Sequence, residues 1–194
     1  MNAEPEDAPD AAARAFAALM EQAANPDSTD TRLFAKLVAA RAARHDEVLL
    51  GLSMGQWSAL FARHYARTAA PSLRAAAAIS DAAHGEFVPA LRALLLAHAS
   101  ADVNAGDAQC LASIVAHACL RPDHLWRDLG LSGRDEVSAM LERYFPALVA
   151  RNVANLRWKK FLAQELALSQ GNAPGPAPGC PGCEEYGHCF PSTS

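Results

Sequence analysis

The residues best suited to chemistry lie in the last twenty positions of the chain. Three of its five cysteines, Cys180, Cys183 and Cys189, occur there within C-P-G-C-E-E-Y-G-H-C-F. The first two thiolates, separated by two residues on a glycine-containing turn, can reach one metal centre, and the third can close round it if the chain loops back. Soft thiolate ligands select zinc, copper(I) or iron–sulfur clusters over magnesium or calcium. The pattern therefore predicts a metal site, which we call the cysteine clip (Cys180, Cys183 and Cys189).

Two kinds of centre fit the cysteine clip. A zinc site needs four Cys or His ligands. His188 could join the three thiolates, but it adjoins Cys189, and adjacent residues rarely fit two corners of one tetrahedron. An iron–sulfur cluster held by three thiolates leaves one corner for another ligand or metal. Three incidental surface cysteines are less favoured, because exposed free thiols are an oxidative liability.

Two further cysteines and two histidines lie in the body of the chain. Cys110 and His117 are seven residues apart and share one helix face. Cys110 is best interpreted as a small buried apolar residue. Cys119 and His124 flank an R-P-D turn, from which a side chain can reach a site, and for these two a structural and a functional role stay open.

The basic run R-W-K-K at positions 157–160 stands out because lysine is rare elsewhere in the chain. On a helix, Trp158 can join the core while Arg157, Lys159 and Lys160 face solvent or a neighbouring element. One interpretation is a solvated face near a helix C-terminus, where positive charge is favourable. The other is an anion site beside the cysteine clip, suited to a small oxyanion such as molybdate. Composition alone favours the solvated face.

Composition narrows the class of protein. The 194 residues are about half apolar, rich in alanine and poor in aromatics, which favours one helical domain with a real core. The net charge of −4 argues against a nucleic-acid or anionic-membrane partner. Without a signal-like N-terminus or a long apolar stretch, we expect a cytoplasmic protein. In a reducing compartment the crowded cysteines favour metal ligation over disulfides.

Hydrophobic periodicity predicts an all-α fold, because no segment alternates as a strand would. We expect residues 1–9 to be disordered, residues 10–169 to form the helical domain, and residues 170–194 to be a flexible tail that carries the Cys-x2-Cys-x5-Cys site. The tail begins with a Pro/Gly-rich tether that has nothing to bury. One long helix is predicted from Pro146 to Ser169, whereas Pro71 to Gly85 is ambiguous. Residues able to cap a helix N-terminus precede three further helices: Thr29 or Asp30, Ser53 in a capping box with Gln56, and Asp107.

Three blocks together resemble the NifQ family of nitrogenase-associated molybdenum–iron–sulfur proteins. They are H-A-C-L-R-P-D-H-L-W-R-D-L-G-L, R-Y-F-P-A-L-V-A-R-N-V-A-N-L-R-W-K-K-F-L and the cysteine clip. The resemblance implies a molybdenum carrier that binds an iron–sulfur cluster and delivers molybdenum for the iron–molybdenum cofactor. It implies the nitrogenase cofactor scaffold complex and the nitrogenase iron protein as partners. Beside such a centre, we expect Arg157, Lys159 or Lys160 to attract molybdate or to dock the acidic surface of a partner. The chain has no recognisable catalytic motif, so we expect no enzymatic activity.

The family's terminal motif, C-x4-C-x2-C-x5-C, has one more cysteine than this chain. Cys180, Cys183 and Cys189 match its last three positions, and the first falls on Gly175. Three explanations compete. The three thiolates suffice and leave molybdenum exposed for transfer; Cys119 or Cys110 supplies a fourth thiolate; or the site binds a simpler cluster or zinc. The alternative function is therefore a zinc-stabilised helical interaction module.

Overall fold

The computed structural model describes residues 8–65 and 85–191, with side chains from residue 10 onward. Most of the predicted disordered stretch and of the ambiguous Pro71 to Gly85 stretch lies outside the described residues. Within them the fold is all-helical, as predicted, with no strand. The α-helices are α1 (Ala8–Glu21), α2 (Thr29–Ala42), α3 (Met54–His64), α4 (Phe87–Ala97), α5 (Ala105–Ala118), α6 (Leu125–Leu129), α7 (Arg134–Tyr144), α8 (Pro146–Val149), α9 (Trp158–Ser169) and α10 (Tyr186–Cys189).

Helix α5 is the central element and packs against α3, α4 and α6. Most of its residues are buried, and small side chains such as Ala112 and Ala116 let its neighbours approach closely. Large side chains from the surrounding helices, among them Trp57, Phe34 and Phe161, complete the core. Burial of such a side chain contributes about 1.5–3 kcal/mol. No helix in the described part of the chain is long and apolar enough to span a membrane.

The residues that cap the helix N-termini agree only in part with those predicted from sequence. Ser53 and Gln56 form the predicted capping box at α3. The prediction of Thr29 or Asp30 as the cap of α2 is wrong, because the side chain of Ser28 accepts the hydrogen bond from the amide of Thr31. The prediction of Asp107 as the cap of α5 is wrong: Asn104 accepts the first amide hydrogen bonds. Asp107 is instead buried, and it binds side chains of α3.

The predicted helix from Pro146 to Ser169 is broken into α8 and α9, so this prediction is wrong. The side chain of Asn152 accepts a hydrogen bond from the amide of Leu156 at 2.8 Å and donates one to its carbonyl at 3.0 Å. Asn155 adopts a left-handed φ of 50°, which asparagine tolerates better than most residues. These asparagines satisfy the backbone outside a helix. The basic run therefore lies at the start of α9, with Arg157 as its N-cap residue.

The tail after α9 folds back onto the helical body. Residues 172–177 have no regular secondary structure, as the Pro/Gly-rich composition predicts. However, the expectation that this tether has nothing to bury is wrong, because Ala177 is fully buried in the core. The boundaries predicted for the disordered N-terminus, the helical domain and the tail stay predictions.

Candidate metal centre

The tail docks on the turn between α5 and α6 through two glycines. The amide of Gly179 donates a hydrogen bond to the carbonyl oxygen of Cys119 at 3.0 Å. A Cβ atom on Gly179 would overlap the carbonyl oxygen of Arg121, and one on Gly182 would lie 2.5 Å from Cβ of Pro122. Only glycine permits so close an approach of the two backbones. This contact places the start of the cysteine clip over the turn.

The three cysteines of the clip line one cavity of about 450 Å³. Cys180 is buried, whereas Cys183 and Cys189 are half-buried. Cys180 begins a short 3-10 turn, in which its carbonyl oxygen accepts a hydrogen bond from the amide of Cys183 at 2.9 Å. Cys189 ends α10. In the described residues, no three His, Cys, Asp or Glu side chains are placed to hold a single metal ion. The three predicted ligands thus lie in the wall of one cavity, but they do not surround a position for a single metal ion.

The R-W-K-K run forms another part of the same wall. Trp158 is buried, as predicted, but the prediction of a solvated face near a helix C-terminus is wrong. Lys159 is 6 % exposed, pairs with Asp128 and donates to the carbonyl oxygen of Arg121 at 2.7 Å. Lys160 donates to the carbonyl oxygen of Cys189 and lies 4.9 Å from the centre of the Phe190 ring.

A buried charge network lies behind Lys159. The carboxylate of Asp128 accepts hydrogen bonds from Lys159 and Arg121, and its main-chain carbonyl accepts from Arg121 and Arg41. Burial lowers the pKa of Arg121, and the neighbouring charge of Arg41 lowers it further. Among the described residues, the network thus contains three cations and two carboxylates: Lys159 and Arg121 pair with Asp128, and Arg41 pairs with Asp46. The floor of the cavity is therefore positively charged.

Ion pairs at the cavity rim connect the tail to the body. Arg127 pairs with Glu184 at 2.9 Å, and Arg157 pairs with Glu185. The Nε2 atom of His124 lies 3.4 Å from Oε2 of Glu185. Such partly exposed pairs typically contribute less than about 1 kcal/mol each. They orient the segment between Cys183 and Cys189 more than they stabilise the fold.

The protonation of the donors follows from their surroundings. Burial raises the pKa of the Cys180 thiol, Lys159 lowers it, and the nearby Cys189 and Cys183 raise it. Burial, followed by the charges of Arg157 and Arg127, lowers the pKa of His124. At neutral pH the metal-free protein therefore presents a neutral imidazole and a protonated Cys180. A metal that binds Cys180 must displace this proton.

The two remaining cysteines lie elsewhere. Cys119 is fully buried beneath the docked tail and is absent from the cavity wall, and burial raises the pKa of its thiol to about 12. Cys110 is 1 % exposed on α5, and its sulfur lies 3.8 Å from the carbonyl oxygen of Gln56. That position suits the small buried residue expected from sequence.

Sequence reasoning missed two cationic side chains in the cavity wall. Arg127 belongs to α6, and Arg134 donates to the carbonyl oxygens of Asn155 and Leu156. Both lie outside the R-W-K-K run and next to acidic residues, as many surface arginines do, so the sequence does not single them out. They become neighbours of the clip only through the packing of α6, α7 and the tail.

The sequence model of the NifQ family matches residues 33–191, a stretch that contains both the cavity and most of the helical body. The chain belongs to the NifQ family. It is 44% identical over 116 residues to the NifQ homologue of Sinorhizobium fredii, covering 59% of this chain and 49% of the relative. NifQ of Azotobacter vinelandii is 48% identical over 80 residues, covering 41% of each chain. NifQ of Klebsiella pneumoniae is 42% identical over 85 residues, covering 43% of this chain and 51% of the relative.

These alignments cover about half the length of the curated NifQ relatives or less. The family match itself extends further and includes all three cysteines of the clip. No solved structure matches this chain at a significant level. Membership in the NifQ family thus rests on sequence.

Proposed function

We propose that this protein is a molybdenum carrier, which binds molybdenum in an iron–sulfur cluster at the cysteine clip and delivers it for assembly of the nitrogenase iron–molybdenum cofactor. One observation carries this proposal: the three thiols line a single cavity together with cationic side chains, in a chain of the NifQ family. The proposed partners are the nitrogenase cofactor scaffold complex and the nitrogenase iron protein. Since the role is to carry and donate, no catalytic step is assigned.

The donor set fits a cluster better than a single zinc ion. A structural zinc site needs four donors at about 2.0–2.3 Å from one point. The clip offers three thiols spread along a cavity wall, with no three donors placed round one ion among the described residues. An iron–sulfur cluster takes each thiolate at a different iron and so needs such a spread. Cys180, Cys183 and Cys189 would hold the cluster, which would supply the binding site for molybdenum.

The charges of the cavity suit an anionic cargo. The chain as a whole carries a net charge of −4, yet five cations and three carboxylates line the cavity: Arg127, Arg134, Arg157, Lys159 and Lys160 with Asp123, Glu184 and Glu185. Lys160 and Arg134 have no carboxylate partner among the described residues. A molybdate dianion and a cluster bearing thiolates are both negative, so these cations favour their entry and retention. We propose that Arg157 and Lys160 contact the oxyanion, while the positive charge of Lys159 attracts it from the floor of the cavity.

Metal analysis tests the proposed function. The full chain is purified without oxygen from cells supplied with molybdate, and its iron, sulfide and molybdenum are measured. We expect a brown protein that contains iron and molybdenum, and we expect Cys183→Ser to lose most of both. Cys110→Ser is the matched control, because Cys110 lies outside the cavity and a hydroxyl can replace its weak contact with Gln56.

Two results would overturn the proposal. A molybdenum content near zero in iron-loaded protein would remove the carrier role. A colourless protein with stoichiometric zinc would support the alternative of a zinc-stabilised interaction module, because zinc has no visible absorption of its own.

A further inference from the structure

We propose that His124 is a fourth protein ligand of the cluster and takes the position left open by the three thiolates. This inference rests on the proposed function, since it requires a cluster at the cysteine clip. It starts from the cavity wall, which holds three cysteines and no fourth in the part of the chain that the structure describes, so that three thiolates leave one position of a cluster open. Among the described residues, His124 is the one histidine that lines the cavity with Cys180, Cys183 and Cys189.

The fold fixes the imidazole of His124 in the cavity wall, beside the tail segment that joins Cys183 to Cys189. His124 is the N-cap residue of α6, and it ends the turn onto which Gly179 and Gly182 pack. Its ring stacks on Trp126, with ring centres 6.4 Å apart and an angle of 11° between planes. Its Nε2 atom lies 3.4 Å from the carboxylate of Glu185, which belongs to the tail between Cys183 and Cys189. The side chain is 19% exposed, so the ring lies mostly within the wall.

The other candidate donors are less well placed. Cys119 is fully buried below the docked tail, and its carbonyl group anchors Gly179. His188 is exposed on α10 and does not line the cavity. The carboxylates of Glu184 and Glu185 are paired with Arg127 and Arg157. Carboxylate oxygen also suits hard cations, whereas imidazole suits iron.

A histidine ligand has a measurable electronic consequence. Imidazole binds as a neutral donor, whereas a thiolate adds a negative charge to the centre. Replacement of Cys by His at an iron–sulfur cluster raises its reduction potential. The cluster of this chain should therefore have a higher potential than the same cluster with His124→Cys, which restores four thiolates.

Pulsed electron paramagnetic resonance tests the ligand directly. The full chain, containing isotopically labelled histidine, is loaded with iron, sulfide and molybdate under anaerobic conditions and examined in its paramagnetic state. We expect a histidine-nitrogen coupling in the wild-type protein and in the matched control His188→Ala. We expect its loss in His124→Cys, with iron content retained and the reduction potential lowered. Circular dichroism checks that each variant keeps its helical content.

The outcomes separate the inference from the proposed function. A loaded wild-type protein without histidine coupling, or coupling that persists in His124→Cys, would overturn the role of His124 and leave the carrier role standing. Loss of iron in folded Cys119→Ala, with the coupling absent throughout, would overturn it in favour of a fourth thiolate. A wild-type protein that takes up neither iron nor molybdenum would overturn both.

Discussion

The amide of Gly179 donates a hydrogen bond to the carbonyl oxygen of Cys119, and this 3.0 Å contact joins the tail to the end of α5. Because Cys180 follows at once, the contact sets where the cysteine clip begins. The same turn carries His124 into the cavity wall. The geometry of the candidate centre therefore depends on close packing between two backbone segments some sixty residues apart in sequence.

Gly179→Ala should detach the tail. A Cβ atom would overlap the carbonyl oxygen of Arg121, and overpacking of this kind costs about 1–3 kcal/mol. The open form of the tail should then be roughly 5- to 150-fold more populated. The rate of alkylation of the buried Cys180, followed site by site by mass spectrometry, measures this population and should rise by a similar factor.

Gly175→Ala is the matched control for Gly179→Ala. A Cβ atom on Gly175 meets nothing within 4 Å, so Cys180 should react at the wild-type rate. Equal alkylation of Cys180 in both variants would show that the tail is not held by the Gly179 contact.

Substitutions of Lys159 and Lys160 should have different effects, the first on stability and the second on molybdenum loading. Lys159→Met removes one of the two cations that pair with the buried carboxylate of Asp128. The other cation, Arg121, remains. The free energy of unfolding should fall by roughly 2 kcal/mol, less than the ~3–5 kcal/mol of a broken buried pair. Lys160→Met should change stability by about 0.5 kcal/mol or less, since Lys160 has no carboxylate partner among the described residues, but it should reduce molybdenum loading.

Urea unfolding and molybdenum analysis of the same samples measure the two effects. Unchanged loading in both lysine variants and in Arg157→Gln would refute the anion site at the R-W-K-K run.

Glu185→Gln should strengthen the retention of molybdate. The carboxylate of Glu185 pairs with Arg157 and so competes with an incoming oxyanion. Partly exposed pairs are worth about 0.2–1 kcal/mol, so the affinity should rise roughly 1.5- to 5-fold. Equilibrium dialysis against molybdate at low ionic strength measures the change. Glu142→Gln is the control, because it removes the same charge at an exposed position on α7 and should leave the affinity for molybdate unchanged. An equal gain in affinity in this variant would show that the net charge of the protein, and not the pair with Arg157, is responsible.

Asp30 should make stability depend on pH in the acid range. Two hydrogen bonds from Arg143, at 2.7 Å each, lower the pKa of Asp30 below 3.8, against the opposing effect of burial. A lowered pKa in the folded state stabilises the fold above the unfolded pKa, and this contribution disappears as the pH falls through the folded pKa. Asp30→Asn should thus cost about 1–2 kcal/mol at pH 7 and progressively less below about pH 4.

Chemical unfolding at a series of pH values measures this dependence. Asp27→Asn is the control, because Asp27 makes no ion pair among the described residues. A cost for Asp30→Asn that stays constant down to pH 2 would rule out the ion pair with Arg143 as its source.

Features governed by short-range chemistry were predictable from sequence. The capping box of Ser53 and Gln56 forms because both partners lie within one turn of α3. The helical class follows from alanine content and apolar periodicity. The spacing of Cys180, Cys183 and Cys189 predicts metal ligands, and this stays a prediction. The break between α8 and α9 was missed, although Asn152 and Asn155 carry its local cause.

The sequence by itself determined the helical class, the donor types of the clip and the NifQ blocks, because these depend on residue identity and on neighbours along the chain. Tertiary structure alone decided that Lys159 lies buried against Asp128, that Cys119 lies beneath the tail, and that His124 enters the cavity wall. Each of these positions depends on packing between segments that are distant in sequence, as does the docking of the tail on the α5–α6 turn. That docking comes from packing between distant backbone segments, which no local pattern encodes.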